Sequence, residues 1–91
     1  MRLLVCYDIA DDRRRERVAN ELLDYGTRVQ ESVFECMLET RLAEEMVSRL
    51  RRTIEEVSDK VLVFTICENC CRRVVALGIA GRAEESEFYI V

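Results

Sequence analysis

An apolar run beginning at Leu3 ends in a carboxylate at Asp8, and the chain then places Asp11 and Asp12 before Arg13, Arg14, Arg15 and Arg17. These residue types define a narrow range of chemistry. Carboxylate oxygens suit hard divalent cations, and the planar guanidinium fork suits phosphate or carboxylate oxygens. The 91 residues contain no histidine, so proton transfer near neutral pH falls to a carboxylate, a tyrosine or a metal-bound water. The plainer structural alternative is that Asp8 caps the following turn or pairs with an arginine of the next helix.

The composition sets the bounds. Ninety-one residues make one domain, 1–91, with a modest core that leaves apolar surface for a partner subunit. Apolar content of 49% with 35% charged residues is ordinary for a folded protein, and there are no repeats or linkers. A net charge of −4 argues against a general nucleic-acid coat, although binding responds to local charge. The positive charge is unusual in kind: thirteen arginines against a single lysine, Lys60. The N-terminal apolar run is interrupted too early for a signal peptide, and no window is long enough for a membrane span, so a cytoplasmic protein is expected. Of five cysteines, Cys67 and Cys70 form one C-x-x-C pair, with Cys71 adjacent; with no second such pair and no histidine, reduced thiols are the simpler expectation than zinc.

The elements that must position the acidic and basic residues follow from periodicity. Residues 2–9 alternate as a strand with two apolar faces, Leu3, Val5 and Tyr7 on one and Leu4 and Cys6 on the other. Residues 12–25 predict a helix, with Asp11 or Asp12 as cap, the stripe Val18, Ala19, Leu22, Tyr25, and Gly26 as its stop. Residues 28–38 have strand character, as one long strand or as two. Thr40 is the expected cap of a helix over 41–56, whose stripe is Leu42, Met46, Leu50 and Ile54, followed by Val57; Glu45 and Arg49 form an i,i+4 pair on its wet side. Residues 60–67 read as a buried strand, 72–79 as another, and the tail ends in a strand-like "EFYIV" that could extend a second copy's sheet. This order predicts an α+β, ferredoxin-like sandwich with two helices on one face of an antiparallel sheet. The opposite face then needs a cover, with Leu4 and Cys6 in a dimer interface and Asp8 at its rim.

"YDIADDRRRERV" followed by "LLDYGTRVQESVFE" resembles the CRISPR-associated Cas-two family of small dimeric nuclease-like proteins. The motifs cover residues 3 to about 38, and element order extends the likeness to about 67. The resemblance implies a homodimer, joined through the sheet side with C-terminal strand exchange. Asp8 of each subunit would together bind a divalent metal, magnesium or else manganese. It also implies functional roles for Tyr7, Arg15, Arg17, Arg28, Ser32 and Phe34, and a Cas-one integrase partner in spacer acquisition.

Two Asp8 carboxylates across a twofold axis would make a minimal magnesium site completed by waters and phosphates. Arg15, Arg17 and Arg28 would stabilise charge developing on the phosphoryl oxygens. Three functions fit this reading: a metal-dependent endonuclease cutting RNA or double-stranded DNA, a non-catalytic DNA scaffold for the integrase, and a VapD-like endoribonuclease. Metal-dependent cleavage that requires Asp8 separates the first from the second.

Overall fold

The computed structural model describes residues 1–67 and residue 69. Its elements are β1 (Arg2–Asp8), α1 (Asp12–Leu23), β2 (Gly26–Gln30), β3 (Val33–Met37), α2 (Thr40–Thr53) and β4 (Lys60–Ile66). The strands form one sheet in the order β2-β3-β1-β4, with every neighbouring pair antiparallel. This is the ferredoxin-like arrangement expected from the element order. The expected strand 72–79, the C-terminal strand exchange and the pair Cys70 and Cys71 lie outside the described residues. No helix among the described residues is long and apolar enough to cross a membrane.

The core lies between the helices and one face of the sheet. Leu3, Val5 and Tyr7 of β1 and Phe34 and Cys36 of β3 meet Val18, Ala19 and Leu22 of α1 and Ala43, Met46 and Leu50 of α2. Alternation along β1 turns Arg2, Leu4, Cys6 and Asp8 to the other face. On that face the register sets Leu62 beside Cys6 and Phe64 beside Leu4. Leu62, Phe64 and Met37 remain 42%, 48% and 58% exposed, and an Arg2–Glu35 ion pair at 3.4 Å crosses the patch.

The structure revises several sequence expectations. Of the two alternatives for residues 28–38 the structure has two strands, joined at Glu31 and Ser32, with a bulge between Arg28 and Gln30 in place of the glycine or proline of a familiar hairpin. Gly26 does not stop α1, which ends at Leu23; it begins β2, where a Cβ would collide with the Glu35 carbonyl oxygen and stand 2.6 Å from Cys36 Sγ. The N-cap of α2 is Glu39, without a side-chain cap hydrogen bond, and Thr40 is already helical.

Glu45 and Arg49 serve tertiary contacts instead of pairing along their helix. Tyr25 Oη donates to Glu45 at 2.8 Å, while Arg49 reaches Asp24 of the α1 C-cap at 2.8 Å and lies over the Tyr25 ring. Val57 falls beyond the end of α2 and is 95% exposed, so it takes no part in the apolar stripe. β4 is a strand as expected, but it is largely exposed. It ends the described strand order, and nothing described covers Leu62 and Phe64.

Candidate functional site

Asp8 is the last residue of β1, exposed, on a ridge between two hollows. The larger encloses about 680 Å³ and is lined by Tyr7, Asp8 and Ile9 at the strand end, Arg15 and Glu16 of α1, and Arg28, Glu31 and Ser32 from β2 and its turn, among others. The smaller, of about 170 Å³, is lined by Cys6, Tyr7, Asp8, Lys60 and Leu62. The fold therefore gathers five of the sequence-predicted residues, Tyr7, Asp8, Arg15, Arg28 and Ser32, around one cavity.

The four aspartates of this region have different local roles. Asp11 is the N-cap of α1 and accepts the Arg14 backbone N–H at 2.9 Å, a bond that holds its carboxyl below the usual range. Asp12 pairs with Arg15. Asp59, with a side chain only 1% exposed, takes both Arg14 Nε at 2.8 Å and Nη2 at 3.2 Å and accepts the Glu55 N–H at 2.8 Å. Arg14 is the main reason that the Asp59 carboxyl is also lowered. Asp8 alone among these four makes no side-chain hydrogen bond or ion pair with a described residue. Neither the turn cap nor the arginine pair expected of an ordinary strand-end aspartate is formed.

The arginines are divided in the same way. Arg15 Nη1 donates to the carbonyls of Ile9 and Ala10 at 3.0 and 3.3 Å, tying down the loop that leaves Asp8. Arg28 lies over the Phe34 ring, 5.3 Å from its centroid, and donates to Tyr7 Oη at 3.2 Å. Tyr7 Oη in turn donates to the Glu31 carbonyl, and the Tyr7 backbone N–H to the Ser32 carbonyl at 3.1 Å. Phe34 is wholly buried and stacks on Tyr7 with centroids 6.3 Å apart, so it acts by supporting Tyr7 and Arg28. Arg17 is exposed on α1 and outside the cavity lining; the cavity face of that helix runs through Asp12, Arg15, Glu16, Ala19 and Asn20.

Four carboxylates, Asp8, Asp12, Glu16 and Glu31, face this cavity with two guanidinium groups, leaving two net negative charges. Such a surface attracts a cation before it attracts a bare phosphate. Among the described residues no three carboxylate or thiol groups converge as a ready metal cage. Of the four carboxylates only Asp12 is paired; Asp8, Glu16 and Glu31 make no side-chain hydrogen bond or ion pair with a described residue, which fits magnesium or manganese only if further oxygen donors complete the shell.

The model of the family described as CRISPR associated protein Cas2 matches residues 1–74. The chain belongs to this family. Its Cas2 relatives include "CRISPR-associated endoribonuclease Cas2 4" of Rhodospirillum rubrum, 38% identical over 90 residues, covering 99% of this chain and 73% of the relative. They also include "CRISPR-associated endonuclease Cas2 2" of Thermus thermophilus, 39% identical over 87 residues, covering 96% and 92%. Among solved structures, Streptococcus pyogenes Cas2 superposes with a TM-score of 0.78 at 36% identity, covering 86% of this chain and all of that one.

Two features of the site escaped sequence reasoning. The Arg14–Asp59 clamp joins residues brought together only by the sheet, and Lys60 stands opposite Asp8 in the β1–β4 ladder. The lone lysine among thirteen arginines was visible, but its place was not.

Proposed function

We propose that this chain is a metal-dependent endonuclease that cuts phosphodiester bonds in RNA or double-stranded DNA and works as a homodimer in CRISPR spacer acquisition beside a Cas-one integrase. The observation that carries the reading is Asp8, exposed at the strand end with no partner among the described residues while Asp11, Asp12 and Asp59 are all committed. The relatives' names as endoribonuclease and endonuclease support the reaction class. The open sheet face supports the dimer, because Leu4, Cys6, Leu62 and Phe64 lie on the same side of the sheet as Asp8.

Asp8 of each subunit would hold magnesium or manganese, and the ion would supply an acidified water and charge neutralisation at the scissile phosphate. Arg15 fixes the Ile9–Ala10 loop and with it the direction of Asp8. Arg28, held by Tyr7 and Phe34, keeps guanidinium donors for a phosphoryl oxygen, and Arg17, exposed on α1, would meet the backbone. Ser32 orients Tyr7 through its carbonyl.

Cleavage of labelled single-stranded RNA and duplex DNA with magnesium or manganese tests the proposal. Activity that needs both the ion and Asp8 supports it, and equal activity from Asp8→Ala refutes it. The acidic cavity favours a second reading, a scaffold that binds DNA only once its partner supplies basic surface; absence of cleavage together with a stable complex of integrase, chain and duplex would establish that instead.

A further inference from the structure

Asp8 and Lys60 form the terminal pair of the β1–β4 ladder. Directly opposed residues of an antiparallel pair share a face, with Cβ atoms about 5 Å apart. That distance allows a carboxylate and an ammonium to meet, yet no ion pair joins them, and Lys60 is exposed without a hydrogen bond or ion pair to any described residue. Two of the nearby cations are occupied, Arg14 by Asp59 and Arg15 by Asp12 and two carbonyls, whereas Arg28, held by Tyr7 and the Phe34 face, keeps further donors.

The backbone at Lys60 is held from two sides. The ladder fixes it against Asp8, and the preceding residue, Asp59, is locked to α1 by the two Arg14 bonds. A flexible stem with three uncommitted donors thus rises from a rigid base, on the side of Asp8 away from Arg15 and Arg28.

We propose that Lys60, opposite Asp8 at the border of the apolar sheet face, contacts the phosphodiester backbone of the nucleic acid, so that a strand passes Asp8 with Arg28 on one side and Lys60 on the other. This rests on the reading of Asp8 as the centre of a phosphodiester site. Lysine binds phosphate as a point charge with no base preference, so the contact serves RNA and DNA alike.

The test compares the full chain with Lys60→Gln and Lys60→Arg, titrating a labelled single-stranded RNA at several salt concentrations without divalent ions, with a duplex DNA in a parallel arm. Each lost phosphate contact makes the slope of log affinity against log salt shallower by about 0.7 on a single strand and about 0.9 on a duplex. Lys60→Gln shows this change, Lys60→Arg restores it, and all three proteins keep the same melting temperature. In the cleavage assay the loss in Lys60→Gln falls on KM more than on kcat. An unchanged salt slope in Lys60→Gln overturns the proposal, as does a slope change accompanied by an equal loss of stability in both variants. If the natural chain does not cleave but the slope still changes, the nuclease reading falls and the phosphate contact stands.

Discussion

Phe34 and Gly26 show how much of the site is decided one residue at a time. Phe34 carries no polar group, yet it supports both Tyr7 and Arg28; its removal costs packing first and site geometry second. At Gly26 the constraint is space: a methyl group would meet the Glu35 carbonyl and Cys36 Sγ of the neighbouring strand. Gly26→Ala is expected to destabilise the fold by about 2 kcal/mol or more, because the backbone atom it meets cannot rotate away. Denaturant unfolding measures this, and an unchanged midpoint would show that β2 shifts freely.

Cys36 lies in the same place, and burial raises its thiol to about 11, so it stays protonated and unreactive at neutral pH. Asp8 was legible in the sequence because an apolar run ended in it. The separation of Asp8 from its acidic neighbours was not, since it depends on which arginine reaches which carboxylate.

At the scale of elements, the loop between α2 and β4 is tied to α1 by the Arg14–Asp59 ion pair. Arg14 Nε and Nη2 bind the two Asp59 oxygens, and the same carboxylate accepts the Glu55 N–H, closing the turn before β4. Asp59→Asn is expected to lower the melting temperature by several degrees near neutral pH. The pair also sets a pH dependence. A carboxyl held more acidic in the folded chain than in the unfolded one gives stability that is fully present above its ordinary value, about 3.9, and is lost as pH falls through the lowered value. Acid titration of the natural chain should therefore show a fall in stability below about pH 4 that is smaller in Asp59→Asn; identical acid limbs would contradict the assignment.

The order of elements was readable from alternation and helical spacing, because strands and helices here bury single faces. The sequence leaves open whether residues 28–38 break near Gln30 to Ser32, since a bulge does the work that glycine or proline would have signalled. Glu45 and Arg49 matched an i,i+4 pattern, but tertiary partners on Tyr25 and Asp24 took their charges.

For the whole molecule, the sheet face that no described helix covers and the acidic cavity belong to one design. Leu62, Phe64 and Met37 expose apolar surface on a small chain, and Asp8 stands at the border of that surface. Apolar strands look buried in sequence whether or not anything covers them, so β4 was read as interior. Under the dimer proposal, Leu62→Asp combined with Phe64→Asp converts the dimer to monomers in sedimentation velocity and abolishes metal-dependent cleavage together with it. A monomeric natural chain, or a double variant that stays dimeric, would place the interface elsewhere.

Metal stoichiometry reports on the central claim most directly, because it depends on Asp8 and on the pairing of subunits but not on turnover. Asp8 is exposed and has no partner among the described residues, so Asp8→Asn leaves stability within about 0.5 kcal/mol and any lost function belongs to the site. Manganese binding to the natural chain and to Asp8→Asn, followed by calorimetry or electron paramagnetic resonance, should give one ion for every two chains in the first and none in the second. An ion bound once per chain and retained in Asp8→Asn would contradict the account.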